Sequence, residues 1–282
     1  MATYDDYDGV YFTIQALRMY HHEVMEHVEL VVIDNNPEGA CAASLRALEN
    51  DIENFRYIPN AEVSGTAVRD KLFGEAAGEF VLCMDCHVLL IPSSLARLLA
   101  YFNENPETPD LIQGPLLADG LNRIATHFKP QWYSGMYGTW AYDERGRNPN
   151  GDPFEIPMQG LGLFACRKSA WPGFNPEFCG FGGEEGYIHE KFRQRGAPTL
   201  CLPFLRWLHR FNRPLGVPYR NTWRDRFRNY IIGFTELQLP MNDFLAHMTE
   251  LLGQAEVEKL LAELEKELGS IPVLTGGLTK NG

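Results

Sequence analysis

The chain has 282 residues, of which 45% are hydrophobic and 22% are charged, a composition that is typical of a globular protein with one large domain, alone or with an appendage. The formal net charge of −12 disfavours nucleic acid as the default partner, because an acidic surface repels phosphate backbones. No segment approaches the roughly 20 apolar residues of a membrane span, and the N-terminus lacks a signal-peptide pattern.

The first half of the chain alternates predicted helices and strands. The hydrophobic spacing predicts helices over residues 9–26, 40–50, 66–77 and 93–102, the last capped by Ser93 or Ser94. Strands are predicted over residues 28–33, 55–58 and, as one apolar run, 80–91. This alternation is typical of a parallel sheet covered by helices, which binds ligands at the carboxyl ends of its strands.

The apolar run 80–91 carries an acid and an imidazole near its middle, Asp85 and His87. Because strand side chains alternate between faces, these two are expected to point the same way and Cys86 the opposite way. Such a pair could hold a divalent metal against an anionic ligand, or it could be a satisfied polar pair at a strand end.

The second half of the chain is less regular. Residues 113–157 are rich in Gly, Pro, Trp and Tyr and predict no clear element; their aromatic rings could stack on sugars or bases, although packing is commoner. Strands are predicted over 162–166 and 199–202, a helix over 184–195, and an amphipathic helical region over 241–268. We divide the chain into a domain over residues 1–235 and a C-terminal helical extension and tail over 236–282, with a loose tail after Gly269.

Two polar segments of this half could bind a ligand. Gly182-Gly183-Glu184-Glu185 opens a helix, where the acids complement the helix dipole and the glycines allow a ligand close to the backbone. Residues 209–228 form a dense cationic stretch, either a solvated basic face or a site for a diphosphate, since guanidinium groups match phosphate oxygens. We expect residues 211–228 to form a mobile lid that orders over such a diphosphate.

The six cysteines are scattered along the chain, at positions 41, 83, 86, 166, 179 and 201. Cys83 and Cys86 have C-x-x-C spacing, but in a strand their sulfurs face opposite sides. We interpret all six as reduced thiols of a cytoplasmic protein.

The order of several motifs resembles the nucleotide-sugar glycosyltransferases of GT-A fold, the family-2-type enzymes and their relatives. In the first half, Thr3-Tyr4-Asp5 is similar to T-Y-N, Asp34-Asn35-Asn36 to D-N or D-D, Gly65-Thr66-Ala67-Val68-Arg69-Asp70 to G-x-x-x-A-R-N, and residues 76–87 to A-x-G-E-Y-I-x-F-L-D-x-D.

One departure from the last motif is informative, because His87 in place of its second aspartate resembles the D-x-H of polypeptide N-acetylgalactosaminyltransferases. The second half agrees with that subgroup: residues 160–165 resemble G-G-L-F-A, residues 182–185 W-G-G-E-N, residues 206–211 V-G-H-x-F-R, and Pro218-Tyr219 the P-Y of a mobile loop.

The resemblance implies a GT-A fold over about residues 1–230 and a metal-dependent hexosyl- or N-acetylhexosaminyltransferase that uses a UDP-sugar. It implies that His209 joins Asp85 and His87 as a ligand of Mn²⁺ or Mg²⁺, and the imidazoles favour Mn²⁺. Glu184 and Glu185 are the implied catalytic residues, with Glu184 on sugar or acceptor hydroxyls and Glu185 as general base if the enzyme inverts. Inverting relatives carry Asp and the N-acetylgalactosaminyltransferases carry Asn at the position of Glu185, so both stereochemical outcomes stay open.

The resemblance also implies the contacts to the nucleotide-sugar. The expected contact residues are Thr3, Tyr4, Asp5, Asp34, Arg69, Asp70, Asp85, Gly183, Arg210, Arg213, Tyr219 and Arg220. The acceptor could be a glycan, a protein, a small molecule or modified nucleic acid. The usual first strand is nearly absent, so we expect either a trimmed N-terminus or a sheet without that strand.

Two other functions stay open at this point. The chain could be a non-catalytic nucleotide-sugar-binding protein that kept the fold, or a metal-dependent nucleotidyltransferase, which also places acids at strand ends. Fold alone would not decide between them.

Overall fold

The computed structural model describes residues 1–62, 65–214 and 216–269. The α-helices in these ranges are α1 (Tyr7–Tyr20), α2 (Ala42–Ala47), α3 (Val68–Glu75), α4 (Ser94–Glu104), α5 (Glu184–Gln194), α6 (Trp223–Glu236), α7 (Asn242–Leu252) and α8 (Gln254–Leu268). The strands are β1 (Ala2–Thr3), β2 (Leu30–Asp34), β3 (Phe55–Pro59), β4 (Phe80–Met84), β5 (Val88–Leu90), β6 (Leu111–Gln113), β7 (Leu116–Leu117), β8 (Ile124–Ala125), β9 (His127–Tyr133), β10 (Met136–Ala141), β11 (Phe154–Ile156), β12 (Leu163–Arg167), β13 (Thr199–Cys201) and β14 (Trp207–His209).

The strands pair in four groups within the described ranges, and helices cover them. The first group is parallel, in the order β1-β2-β3. A second group has the order β11-β13-β6-β12-β4, in which β13 and β6 are parallel and β12 runs antiparallel to both of its neighbours. The third group is β5-β14-β7-β8, and β9 and β10 form an antiparallel hairpin. The predicted α/β class is confirmed.

Helices pack on both sides of the strands because their apolar residues recur at helical spacing. On one side α1 buries Val10, Ile14 and Leu17, which share a stripe at i, i+4 and i+7. On the other side, buried residues of α3 and α5 such as Leu72 and Ile188 form a second core. The two cores hold the strand ends, where the polar residues collect, in a fixed arrangement.

The prediction of one strand over residues 80–91 is wrong. β4 ends at Met84 and β5 begins at Val88, so Asp85, Cys86 and His87 form a turn between strands of different sheets. Thr13 of α1 holds this turn, because its hydroxyl lies 3.1 Å from the carbonyl oxygens of both Cys86 and Val88. Alternation along a strand therefore does not explain why Asp85 and His87 lie together.

Other element boundaries also differ from the prediction. The first helix ends at Tyr20 and a 3₁₀-helix follows over His22–His27. Ser93 is the N-cap residue of α4, as predicted, but it has a left-handed φ of 67° and its side chain makes no cap hydrogen bond, while the Ser94 hydroxyl donates to the Phe204 carbonyl. The last part of the expected lid, residues 223–228, is helical, since α6 begins at Trp223.

The N-terminal strand is present but short. β1 has two residues, and the Met1 amino group donates to the Val31 carbonyl at 2.7 Å. An apolar cavity of about 190 Å³ lies beside it, between β2 and β4.

The C-terminal helices pack together. The amphipathic region predicted over 241–268 forms α7 and α8, whose buried residues share a core with α6 and with Trp132 and Tyr137 of the hairpin. The domain boundary after residue 235 stays a prediction, and the tail after Gly269 lies outside the described residues. None of the helices in the described ranges has the length and apolarity needed to cross a lipid bilayer.

Candidate functional site

A cavity of about 720 Å³ gathers most of the predicted site residues. The predicted residues that line it are Thr3, Tyr4, Arg69, Asp85, His87, Glu184, Glu185, His209, Arg213, Tyr219 and Arg220. They come from the N-terminus, the turn after β4, the end of β14, the start of α5 and the segment before α6. The fold thus brings together residues that lie more than 200 positions apart in the sequence.

Strand pairing places the predicted metal ligands side by side. β14 pairs antiparallel with β5 so that His209 lies opposite Val88, the residue after His87. On the other side, the Asp85 amide donates to the Gly162 carbonyl, which continues the pairing of β4 with β12. As a result His209 Nε2 lies 3.2 Å from both Asp85 Oδ2 and His87 Nε2.

The charges around this cluster favour an ionised Asp85. Burial alone would raise the pKa of Asp85, but its hydrogen bond with His209 and the Arg69 charge lower that pKa to about 2. Burial lowers the pKa of His87 and thus favours its neutral form. An ionised carboxylate and a neutral imidazole are the forms in which these side chains bind metals.

The three side chains fit a divalent cation. One oxygen of Asp85 and one nitrogen each of His87 and His209 lie within 4.8 Å of one another. The two Nε2 atoms face each other, and His209 Nδ1 is buried without a hydrogen-bond partner in the described ranges, so the pair is incompletely satisfied by the protein itself. A donor set that includes two imidazoles suits a divalent transition-metal ion better than Mg²⁺.

Glu184 and Glu185 both line the cavity at the first turn of α5. Glu184 is buried, and its Oε2 has no hydrogen-bond partner in the described ranges. Burial, followed by the nearby Glu184 charge, raises the pKa of Glu185 to about 8. Both carboxylates therefore border the same space.

The turn before α5 depends on glycine. Gly183 is the N-cap residue of α5 with a left-handed φ of 89°, and a Cβ there would lie 3.2 Å from Cβ of Asn229. Gly183 does not line the cavity, but it sets the direction in which α5 presents Glu184 and Glu185.

The segment before α6 closes across the cavity. The Tyr219 ring lies 6.0 Å from the ring of Tyr4 and 4.3 Å from that of Phe181, and both of these residues line the cavity. Arg213 extends from the same segment until its Nη2 lies 3.1 Å from His87 Nε2. Arg220 is exposed and lies 3.5 Å from Asp225. The remaining part of the expected lid therefore carries two arginines at the cavity.

Asp34 and Asp70, two of the predicted ligand contacts, are not among the residues that line the cavity. Asp34 is buried, and its carboxylate accepts hydrogen bonds from the Tyr57 hydroxyl and the Asn36 amide. Asp70 accepts from Trp171 Nε1 at 2.7 Å and from the Phe174 amide at 2.9 Å. The carboxylates of both acids therefore bind neighbouring parts of the protein.

Asp5 and Arg210 also lie outside the lining, for a similar reason. Asp5 accepts from the Asn36 side chain at 2.6 Å. Arg210 forms an ion pair with Asp6 at 2.5 Å, so its guanidinium group is held by that carboxylate.

Asp6, Asn35 and Trp140 are among the cavity-lining residues that were not predicted as site residues. Asp6 is the N-cap residue of α1, and an acid just before the predicted helix was a capping signal that could have identified it. Asn35 directly follows the end of β2, where ligands of such sheets bind. Trp140 belongs to the hairpin, which the composition of residues 113–157 did not reveal.

Comparison with known proteins gives a family and a fold. The profile described as Glycosyl transferase family 2 matches residues 1–171, more than half of the chain. The structure of GalNAc-T7 with UDP, GalNAc and Mn²⁺ has a TM-score of 0.61 at 16% identity, covering 89% of this chain and 52% of that one. This chain thus spans about half the length of that relative. Comparison with curated proteins finds no significant match.

Two further solved structures agree in fold. Mannosyltransferase PcManGT from Pyrobaculum calidifontis, in complex with GDP-Man and Mn²⁺, has a TM-score of 0.54 at 16% identity, covering 97% of this chain and 76% of that one. TarS from S. aureus, in complex with UDP-GlcNAc, has a TM-score of 0.52 at 14% identity, covering 93% and 69%. At these identities the likeness shows the fold, and the predicted GT-A fold is confirmed.

Proposed function

Because the chain belongs to glycosyl transferase family 2, we propose that it transfers a sugar from a UDP-sugar to an acceptor hydroxyl, with Mn²⁺ held by Asp85, His87 and His209. The observation that carries this proposal is the meeting of these three side chains in one cavity with Glu184 and Glu185. A cation site and a pair of acids in one cavity supply the two kinds of group that sugar transfer from a diphosphate requires.

The diphosphate leaving group has to be stabilised by positive charge. Breaking the sugar–phosphate bond develops negative charge on the diphosphate, and a bound divalent cation supplies charge that stabilises it. Arg213 and Arg220 line the same cavity, and their guanidinium groups can donate paired hydrogen bonds to phosphate oxygens. Arg69 lies 3.5 Å from Asp85 and holds that carboxylate in place.

The two acids have different roles in this proposal. Glu184 accepts hydrogen bonds from sugar or acceptor hydroxyls, which is supported by its buried and unpartnered Oε2. Glu185 removes the proton of the attacking hydroxyl, so the transfer inverts the anomeric configuration. A base with a raised pKa near the working pH is effective, because it takes up the proton readily and still exists partly as the carboxylate.

The acceptor class stays open among a glycan, a protein, a small molecule and modified nucleic acid. Trp140 borders the cavity with part of its ring exposed, which favours an acceptor with a face on which an aromatic ring can stack. A cytoplasmic location is also part of the proposal and is supported by six cysteines that are all unpaired.

A turnover screen tests the proposed function. A panel of UDP- and GDP-sugars is incubated with the full chain and Mn²⁺, Mg²⁺ or EDTA, and nucleoside diphosphate release is measured. We expect UDP release that requires Mn²⁺ and that is lost in His209→Ala but retained in His22→Ala, which removes an exposed imidazole.

Two results would favour the alternatives. Tight UDP-sugar binding with no release, with or without added acceptors, would indicate a non-catalytic binding protein. Release of pyrophosphate from nucleoside triphosphates would indicate a nucleotidyltransferase.

A further inference from the structure

The two carboxylate oxygens of Asp6 make different contacts, one with the N-terminus of α1 and the other with His87 of the cation site. Oδ1 accepts from the Gly9 amide at 3.1 Å and thereby caps α1. Oδ2 lies 3.2 Å from His87 Nδ1 and 2.5 Å from Arg210 Nη2. The side chain is only 15% exposed, so water competes little for these contacts. None of the roles proposed above uses this residue.

The contacts of His87 fix which of its nitrogens carries the proton. An ionised carboxylate can only accept hydrogen bonds, and Asp6 Oδ2 lies 3.2 Å from His87 Nδ1. The proton of the neutral ring therefore lies on Nδ1, from which it is donated to Asp6, and Nε2 presents its lone pair. Arg213 Nη2 lies 3.1 Å from Nε2 and 3.4 Å from Nδ1, so its shorter contact is with the nitrogen that carries the lone pair. The lone pair on Nε2 faces His209 and the cation site.

We propose that Asp6 is a positioning residue, whose carboxylate holds His87 as the Nδ1–H tautomer with Nε2 directed at the cation site. This inference rests on the proposed function and extends it by one residue. A carboxylate that accepts the second N–H of a ligating imidazole fixes the ring orientation and raises the basicity of the ligating nitrogen, and its loss typically weakens metal binding 10- to 100-fold. Arg210 balances the remaining charge of Asp6 and so helps to keep this carboxylate buried.

Substitution by asparagine separates the two roles of Asp6. Asparagine is as good an N-cap residue as aspartate, so Asp6→Asn preserves the cap of α1. Its side chain has one acceptor oxygen, which cannot cap α1 and accept from His87 as the two oxygens of Asp6 do. Asp8→Asn is the matched control, because Asp8 is exposed in the first turn of the same helix and the substitution removes the same charge.

Mn²⁺ binding to the full chain, without nucleotide, tests the proposal. We expect Asp6→Asn to weaken Mn²⁺ binding about 10- to 100-fold relative to Asp8→Asn, with closely similar urea midpoints for the two variants. In a His87→Ala background the same change should have no further effect. Nitrogen NMR of the imidazoles without metal should show a loss of the Nδ1–H form of His87 in Asp6→Asn.

Two results overturn the proposal and are distinguishable. If the parent chain binds Mn²⁺ and Asp6→Asn binds it within twofold of the control, Asp6 is a helix cap only and the proposed function stands. If the parent chain binds no Mn²⁺, the cation site itself is wrong, and the proposed function fails together with this inference.

Discussion

The ionisation of Glu185 gives a pH profile that can be worked out from the structure. With a pKa of about 8, about one tenth of the Glu185 carboxyl groups are ionised at pH 7. If Glu185 is the general base, kcat/KM should rise roughly tenfold between pH 7 and pH 9 and then level off. Below pH 7 the rate should fall about tenfold for each unit, until another group limits it.

Substitutions of Glu185 and Glu184 distinguish the role of the general base from the role of the acid beside it. Glu185→Gln should lower the rate by a factor on the order of 10²–10⁴, because the acceptor proton is no longer removed. Glu184→Gln removes the charge that helps to raise the pKa of Glu185, so the inflection of the remaining activity should move to lower pH. The assay is UDP release over pH 6–9, with anomeric NMR of the product.

The protonation of Glu185 should also affect the stability of the folded chain. The pKa of Glu185 is raised above its ordinary value of 4.5, so the folded chain retains a proton that the unfolded chain loses. The free energy of unfolding should therefore decrease between about pH 4.5 and pH 8, by up to roughly 1.4 kcal/mol per pH unit, and this slope should be absent in Glu185→Gln.

Two results would refute the role of Glu185 as general base. One is a flat rate profile over pH 6–9, and the other is a product with retained anomeric configuration together with a large loss of rate in Glu185→Gln.

Two further predictions concern Asp70, which does not line the cavity, and Arg213, which does. Asp70→Ala should lower the free energy of unfolding by roughly 2–3 kcal/mol, because Trp171 Nε1 and the Phe174 amide lose their acceptor. Urea denaturation measures this loss, and weaker UDP binding at unchanged stability would contradict the structural role. In the absence of nucleotide, Arg213→Ala should tighten Mn²⁺ binding, because the guanidinium group of Arg213 contacts the nitrogen with which His87 would bind the cation. The same substitution should weaken UDP binding, because it removes the proposed phosphate contact. Calorimetry measures both, and unchanged UDP affinity would argue against a phosphate contact.

Much of the fold could be predicted because its determinants are local. The spacing of apolar residues predicted the strands β2 and β3 and the helices α1, α3 and α5. The ends of these elements differ from the predicted ends by a few residues. The run at residues 80–91 failed because its break is set by distant partners. β4 pairs with β12 and β5 pairs with β14, and no periodicity within the run reveals a change of sheet.

The site was predictable in its residue types but not in which acids face the ligand. Asp85, His87 and His209 meet as the motif resemblance implied. Asp34 and Asp70 have the same chemistry, but their hydrogen bonds to Tyr57 and Trp171 form only in the folded chain. The sequence alone does not show which carboxylates are satisfied by neighbours and which remain open.

The dependence of UDP binding on Mn²⁺ tests the central claim most directly. Calorimetry would give the Kd of UDP for the parent chain, His209→Ala and the control His22→Ala, each with Mn²⁺ and with excess EDTA. We expect UDP to bind the parent chain and the control at least about tenfold more tightly with Mn²⁺, and His209→Ala to lose this difference because one ligand of the cation site is missing. Equal UDP affinity in Mn²⁺ and EDTA for the parent chain would contradict the account.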